Sequence, residues 1–169
     1  MRMLLTLAFL VFGLSCFSQV DSTQPPYKRF QNVPPFKVML KDSSFYAKKD
    51  LPKNKAVWIM IFGPDCDHCQ METRQIIAHQ KELKDVQVVM ITLHPVDRMK
   101  TFISDYKLDA VKNVVVGQDY AHFTMPFFNF RNFPFHAMYD KKGKLIASFE
   151  GTMGIEEVID LFNGKKAKP

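Results

Sequence analysis

The chain has 169 residues, of which 47% are hydrophobic and 13% aromatic; this suits one globular domain with a sizeable core and excludes a largely disordered protein. Its three cysteines are too few for a small scaffold held together by several disulfides. The formal net charge of +6 is a mild excess, part of which lies in a basic tail over residues 164–169 that we interpret as a solvated end.

The N-terminal residues have the pattern of a secretory signal peptide. Arg2 supplies a positive charge, residues 4–14 form an apolar stretch too short to cross a bilayer, and Ser18-Gln19 is a suitable cleavage point. We predict a signal peptide over residues 1–18 and an exported protein, secreted or held in the periplasm or cell envelope. Export argues against nucleic acid as a partner, in spite of the positive charge.

A lipoprotein is the alternative interpretation of this segment. Leu14-Ser15-Cys16 partly resembles a lipobox and would tether the protein to a membrane through Cys16, although Gly13 stands where that motif has a large apolar residue. Removing or lipidating Cys16 leaves two thiols, Cys66 and Cys69. Because bridging so short a loop constrains the unfolded chain little, this pair is predicted to serve chemistry rather than stability.

Residues 19–35 contain two Pro-Pro pairs and no apolar period, and we interpret them as a linker or arm. One domain is predicted over residues 36–163. Within it, residues 36–40 alternate as a strand does, and residues 44–46 are expected to return as the second strand of a hairpin. The continuous apolar run over residues 56–62 suits the centre of a sheet covered on both faces.

The next segments predict a parallel βαβ arrangement. Helical spacing extends from Cys66 to Lys84, a second buried strand covers residues 86–92, and a further helical stripe follows Asp97 as its N-cap. The crossover between the two strands should be right-handed. Residues 114–116 are either a short extra strand or a packed loop.

A hairpin and a helix are predicted at the C-terminal end. Strands over residues 135–139 and 145–149 flank Asp140-Lys141-Lys142-Gly143, a turn signature. The last element has an apolar stripe at helical spacing, formed by Ile155, Val158, Ile159 and Phe162.

Two cysteines, Cys66 and Cys69, stand where the apolar strand breaks and a helix begins. In a first helical turn this spacing lets the sulfurs bridge, and the unpaired N–H groups there favour a thiolate. The pattern therefore predicts reversible disulfide exchange. A closed zinc site would need a second pair of ligands, and a c-type haem site would need histidine at Gln70, so we predict no bound metal or cofactor.

The Cys-x-x-Cys after a βαβ-forming strand, the X-Pro at Pro134 and the Asp-Lys-x-Gly-Lys turn resemble the thioredoxin fold. With the signal peptide, the early hairpin and an acidic residue three places after the second cysteine, the chain is most similar to the TlpA/ResA group of exported thiol-disulfide oxidoreductases. The resemblance implies an α/β fold in which helices flank a central mixed β-sheet with an N-terminal β-hairpin extension. It also implies that Cys66 is the exposed nucleophile and that Cys69 resolves the mixed disulfide.

Three ionisable residues near the cysteines are predicted to tune them. A protonated His68 would stabilise the thiolate and make the disulfide more oxidising, whereas Asp65 and Asp67 oppose the thiolate. Two carboxylates against one partly charged imidazole favour an intermediate or reducing potential. The alternatives are an N-cap role for Asp65 and a solvated surface position for His68.

Glu72 lies three residues after Cys69 and so on the same face of the helix, where it could accept or deliver that cysteine's proton. TlpA/ResA-like sequences have glutamate here, so the resemblance implies this role. The alternative is an acid of the first turn that complements the helix dipole. The buried aspartate of thioredoxin itself is absent, because Met60 stands at its place.

The resemblance also implies a substrate groove at Pro134. The cis-proline of thioredoxin-like folds lies against the dithiol, and the backbone of the preceding residue, here Phe133, pairs with substrate as an added strand. The alternative is a trans-proline that begins an edge strand. Most of the six phenylalanines between residues 123 and 135 should be core, with one or two beside Pro134 available as an apolar platform.

The sequence therefore predicts an exported thiol-disulfide oxidoreductase that acts on protein thiols or disulfides, more as a reductant than as an oxidant, and is reset by a membrane thiol-redox donor. The alternative is a non-catalytic thioredoxin-fold module that binds copper or a peptide. Peroxidase activity ranks below both, because peroxiredoxins have threonine where this chain has Gly63. His94 follows a strand at the sheet's C-terminal edge; we expect it to cap or to lie on the surface, and the alternative is that it approaches the cysteines.

Overall fold

The computed structural model describes residues 24–165. The strands are β1 (Lys37–Met39), β2 (Phe45–Ala47), β3 (Ala56–Phe62), β4 (Val86–Thr92), β5 (Val114–Gln118), β6 (Phe135–Tyr139) and β7 (Leu145–Glu150). The α-helices are α1 (Pro26–Arg29), α2 (Asp67–Ala78), α3 (Val96–Asp105), α4 (Thr124–Phe128) and α5 (Ile155–Phe162). The strands form one mixed sheet in the order β2-β1-β5-β4-β3-β6-β7, which confirms the predicted thioredoxin-like architecture.

The centre of the sheet is the parallel pair β3 and β4, in register from Ala56 opposite Val86 to Phe62 opposite Thr92. All seven residues of each strand are buried, as the continuous apolar runs predict. Alternate residues of β3 point to opposite layers. Trp58, for example, packs in the core beneath α2, α3 and α5, whereas Ile59 packs in the core beneath α1 and α4.

Both hairpins form where the sequence predicts them. β1 pairs antiparallel with β2, and β6 pairs antiparallel with β7. Residues 114–116 belong to a strand, because β5 pairs parallel with β4 and joins the N-terminal hairpin to the sheet. Gly117 permits this junction, since a Cβ at its position would overlap the side chain of Val38.

The interpretation of residues 19–35 as a linker does not describe its second half, which packs on the domain. Tyr27 of α1 is buried, with its ring centroid 5.7 Å from those of both Phe128 and Phe135. The Val33 N–H donates to the Gly143 carbonyl at 2.9 Å. Two isolated apolar residues produce no period in the sequence, which explains why the pattern indicated a linker.

Two helix boundaries differ from the prediction. The helix expected behind Asp97 has Pro95 at its N-cap and Asp97 in its first turn, so Asp97 is not the cap. Helix α2 ends at Ala78 with His79 as C-cap, before the predicted end at Lys84. The signal peptide, Cys16 and tail residues 166–169 lie outside the described residues. Within residues 24–165, no helix is long and apolar enough to cross a membrane.

Candidate active site

The Cys66–Cys69 pair lies at the junction of β3 and α2, as predicted. Cys66 is the N-cap of α2, its sulfur accepts a hydrogen bond from the Cys69 N–H at 3.2 Å, and the two residues are joined as a disulfide with Cα atoms 5.2 Å apart. Cys66 is half-buried and Cys69 is fully buried. An incoming group can therefore reach Cys66 but not Cys69.

The predicted tuning residues are exposed around this junction, but one of them is already paired. The Asp65 carboxylate accepts two hydrogen bonds from the Arg98 guanidinium of α3. Because Cys66 occupies the N-cap, the alternative N-cap role of Asp65 is wrong. Asp67 and His68 lie exposed in the first turn of α2. Of the two carboxylates counted against the thiolate, only that of Asp67 has no cation paired with it here.

The sheet brings Pro134 to the dithiol. Since β6 runs antiparallel to β3, the residue that begins β6, Phe135, lies opposite Ile61 near the end of β3. The Phe133–Pro134 peptide bond is cis, Pro134 is buried and Phe133 is half-buried. The predicted cis-proline is therefore present at this place.

Gly63 marks the point where three elements meet beside Cys66. From the position a Cβ of Gly63 would occupy, the Phe133 ring is 3.4 Å away, His94 Nε2 3.5 Å and Cys66 Cβ 3.7 Å. The favoured expectation for His94 was a capping or surface role, but the structure places its half-buried ring at the dithiol loop, which was the alternative. The sequence signal for this position was its place directly after β4, at the same sheet edge as the cysteines.

Glu72 lies one helical turn beyond Cys69 and is buried, with 3% of its surface exposed. Its carboxylate oxygen Oε2 is 3.3 Å from Nε2 of His136, a residue of β6. A first-turn acid that merely complements the helix dipole would lie in solvent. Burial beside the dithiol instead fits the predicted proton-transfer role.

Glu150 organises the loop that leads to Pro134, and sequence reasoning missed it. Its carboxylate accepts hydrogen bonds from the backbone N–H groups of Arg131 and Asn132 at 3.0 and 2.9 Å, and from the Asn132 amide at 2.8 Å. The next residue, Gly151, donates its N–H to the Pro134 carbonyl at 2.8 Å. Burial opposes ionisation, but these donors outweigh it and hold the pKa of Glu150 below its ordinary value.

The phenylalanine-rich segment is mostly core, as predicted. The buried rings are those of Phe128, Phe130 and Phe135. The half-buried rings are those of Phe123, Phe127 and Phe133. Phe133 is the one in contact with the dithiol loop. Among residues 24–165, no group of three or more His, Cys, Asp or Glu side chains is arranged to hold a metal ion.

A model of the AhpC/TSA family matches residues 30–157, which is most of the chain and includes both cysteines. The chain belongs to the AhpC/TSA family. Its fold is thioredoxin-like. No curated protein matches the chain.

Three solved structures show this family member's fold at low sequence identity. The exposed lipoprotein thioredoxin of Streptococcus pneumoniae has a TM-score of 0.61 at 23% identity, covering 76% of this chain and 98% of its own. A secreted Mycobacterium tuberculosis disulfide oxidoreductase homologous to Escherichia coli DsbE gives 0.64 at 18%, covering 77% and 96%. A peroxiredoxin-like protein of Aquifex aeolicus gives 0.63 at 17%, covering 79% and 85%.

Glu150 accepts hydrogen bonds from Arg131 and Asn132, and we call this arrangement the Glu150 clasp. The clasp predicts a pH-dependent contribution to stability. Because the folded-state pKa is lowered, the contribution is fully present above the ordinary glutamate pKa of about 4.3 and is lost as the pH falls through the folded-state value. We expect Glu150→Gln to lower the free energy of unfolding by about 1 kcal/mol at pH 7, a small value because the carboxylate is solvent-exposed.

Urea unfolding of both proteins between pH 7 and pH 3 measures this difference. Glu82→Gln, a substitution of an exposed glutamate elsewhere on the chain, is the matched control. A difference between Glu150→Gln and the unmodified protein that stays constant down to pH 3 would contradict the assignment.

Proposed function

We propose that the protein is an exported thiol-disulfide oxidoreductase that reduces disulfides of protein substrates through Cys66 and Cys69. The observation that carries the proposal is the asymmetry of the pair: Cys66 is reachable at the N-terminus of α2, whereas Cys69 is fully buried beside a buried carboxyl group. Such a pair suits a nucleophile and a resolving thiol that waits for the mixed disulfide.

The reaction transfers two electrons to the substrate. The Cys66 thiolate attacks one sulfur of the substrate disulfide, forms a mixed disulfide and releases the other substrate sulfur as a thiolate. Cys69 then gives its proton to Glu72 and attacks the Cys66 sulfur, which releases the second substrate sulfur and leaves the Cys66–Cys69 disulfide. A membrane thiol-redox donor, as expected from the sequence, returns two electrons to the pair.

The substrate approaches along the segment before Pro134. An extended substrate peptide would pair with the Phe133 backbone as an added strand, which aligns its disulfide with Cys66. The ring of Phe133 lines this approach and narrows it, since it already lies against Gly63. The Glu150 clasp keeps the two preceding residues, Arg131 and Asn132, in place.

Insulin reduction tests the proposed activity. Cys66→Ser should reduce the rate by about a hundredfold or more, since within residues 24–165 the remaining thiol, Cys69, is fully buried. Cys69→Ser is the matched control: it also stops turnover but should accumulate a covalent adduct with substrate, visible on a non-reducing gel. Full activity of Cys66→Ser would exclude the mechanism.

The same assay separates the alternatives. A binding module for copper or a peptide would show no turnover even with both cysteines present, and it would retain metal or peptide after purification. Hydrogen peroxide is a further substrate to test, because the chain belongs to the AhpC/TSA family and its fold is similar to that of a peroxiredoxin-like protein. Gly63 offers no hydroxyl where the peroxiredoxin motif has threonine, so we expect no peroxide consumption above the background of free thiols.

The direction of electron flow is proposed from the charges around Cys66. Asp67 opposes the thiolate and so favours the disulfide, whereas the Arg98 pairing removes most of the influence of Asp65. We expect a potential between those of thioredoxin, about −270 mV, and protein disulfide isomerase, about −180 mV.

Two substitutions in the Asp65–Arg98 pair should move this potential in opposite directions. Arg98→Gln frees a negative charge beside Cys66 and should make the potential more negative, by roughly 10–20 mV at low salt. Asp65→Asn frees a positive charge and should make it less negative by a similar amount. Equilibration with glutathione gives both values.

Arg74→Gln is the matched control for charge, because Arg74 bonds Tyr106 on the same flank and not Asp65. Shifts of the same sign in Arg98→Gln and Asp65→Asn would show that the pair does not tune the dithiol. A wild-type potential near −120 mV, the value of DsbA, would reverse the assignment to an oxidant.

Export is proposed from the N-terminal sequence, and its test is the mass of the mature protein from an exporting host. Cleavage after Ser18 should leave Gln19 as the first residue, whereas a lipoprotein would begin at an acylated Cys16 and partition with membranes. An intact chain that begins at Met1 and stays in the cytosol would overturn the localisation.

A further inference from the structure

A buried polar chain connects three elements beneath the dithiol. Trp58 of β3 and His136 of β6 are both fully buried, and the Trp58 Nε1–H donates a hydrogen bond to His136 Nδ1 at 3.0 Å. An indole nitrogen can only donate, so Nδ1 of His136 must carry a lone pair and the ring proton must be on Nε2. Trp58 thereby fixes the tautomer of His136.

The proton on His136 Nε2 has two acceptors within reach. The Gly151 carbonyl is 3.1 Å from Nε2, and the Glu72 Oε2 atom is 3.3 Å from it. The Nε2–H donates to the Gly151 carbonyl, whereas among the described residues neither carboxylate oxygen of Glu72 has a hydrogen bond of good geometry, so this N–H lies beside an unsatisfied buried acid. The imidazole can share its proton between the carbonyl and the carboxylate.

We propose that His136 is a positioning residue for the proton transfer between Cys69 and Glu72. While Glu72 is a carboxylate, the His136 Nε2–H donates to it and holds an oxygen ready for the Cys69 proton. When Glu72 has taken that proton, the same N–H is satisfied by the Gly151 carbonyl. Because Trp58 holds the lone pair of Nδ1, the ring acts towards Glu72 as a donor.

The proton balance of this step is complete within the described residues. The Cys69 S–H proton passes to Glu72, and the electron pair left on sulfur attacks the Cys66 sulfur while the bond from Cys66 to substrate breaks. A cleft of about 430 Å³ between α2 and the start of α5 borders Glu72, but both carboxylate oxygens are buried from solvent, so the proton stays on Glu72 until the pair is reduced again. Cys69 from α2, His136 from β6 and Glu156 across the cleft are the titratable groups that face Glu72.

The inference rests on the proposed function, because it assigns a role within the Cys69 step. Reaction of the reduced protein with 5,5′-dithiobis(2-nitrobenzoate) separates that step from the first one. Attack by Cys66 releases one thionitrobenzoate at a rate that rises with reagent concentration. Attack by Cys69 on the resulting mixed disulfide releases the second at a rate independent of concentration, and stopped-flow absorbance resolves the two phases from pH 5 to pH 9.

We expect His136→Leu to slow the second phase by about tenfold at neutral pH and to move its pH profile to higher pH, because the carboxylate of Glu72 loses its donor. The first phase should stay within twofold. His136→Gln keeps an amide N–H near the position of Nε2 and should recover most of the rate. His136→Leu alone would leave the Trp58 Nε1–H without an acceptor. The double variant Trp58→Phe/His136→Leu removes that donor as well. It should show the same slow second phase if the slowing comes from the loss of the His136 donor to Glu72.

Phe149→Leu is the matched control for packing. Phe149 of the neighbouring strand β7 stacks on the His136 ring, with the ring centroids 4.4 Å apart. Its side chain has no hydrogen-bond donor. A folded His136→Leu whose second phase matches that of Phe149→Leu in rate and pH profile would overturn the inference. Absence of both phases in the unmodified protein would instead overturn the proposed function, so the two failures are distinguishable.

Discussion

The pairing of β3 with two neighbours of opposite direction is the constraint on which the site depends. β4 runs parallel to β3 and β6 runs antiparallel, so the end of β3, the end of β4 and the beginning of β6 meet at one edge of the sheet. Pro134 directly precedes β6, and Cys66 and His94 lie in the short loops that follow β3 and β4. The fold therefore brings Cys66, His94 and Pro134 to one edge of the sheet.

A buried carboxyl group next to that edge is the most expensive polar feature of the core. Desolvating Glu72 costs several kcal/mol unless a partner compensates, and the partner that the structure supplies is His136, held in one tautomer by Trp58. An apolar trio at these positions would pack with less cost. The polar chain beside the Cys66–Cys69 disulfide is therefore not explained by stability.

Exposed charges surround the same edge in a way that local sequence does not indicate. Asp65 is adjacent to Cys66, but its carboxylate forms an ion pair with Arg98, which lies 33 residues later on α3. Glu150 is distant from the cysteines in sequence, yet its carboxylate orders the two residues before Phe133. The electrostatics of the dithiol and the shape of its groove are consequently set by elements that only the closed sheet brings together.

The sequence by itself determined the elements whose signal is local. Continuous apolar runs predicted β3 and β4, the Asp140–Gly143 turn predicted the last hairpin, and the spacing of Cys69 and Glu72 placed them on one helical face. Tertiary structure alone decided the rest. His136 reads as one polar residue in an apolar strand until β3 and α2 bring Trp58 and Glu72 to its two nitrogens, from 78 and 64 positions away in the chain. Contacts of this kind depend on strand pairing and helix packing between distant segments. Side-chain periodicity indicates only which residues close together in the sequence share a face of a helix or strand.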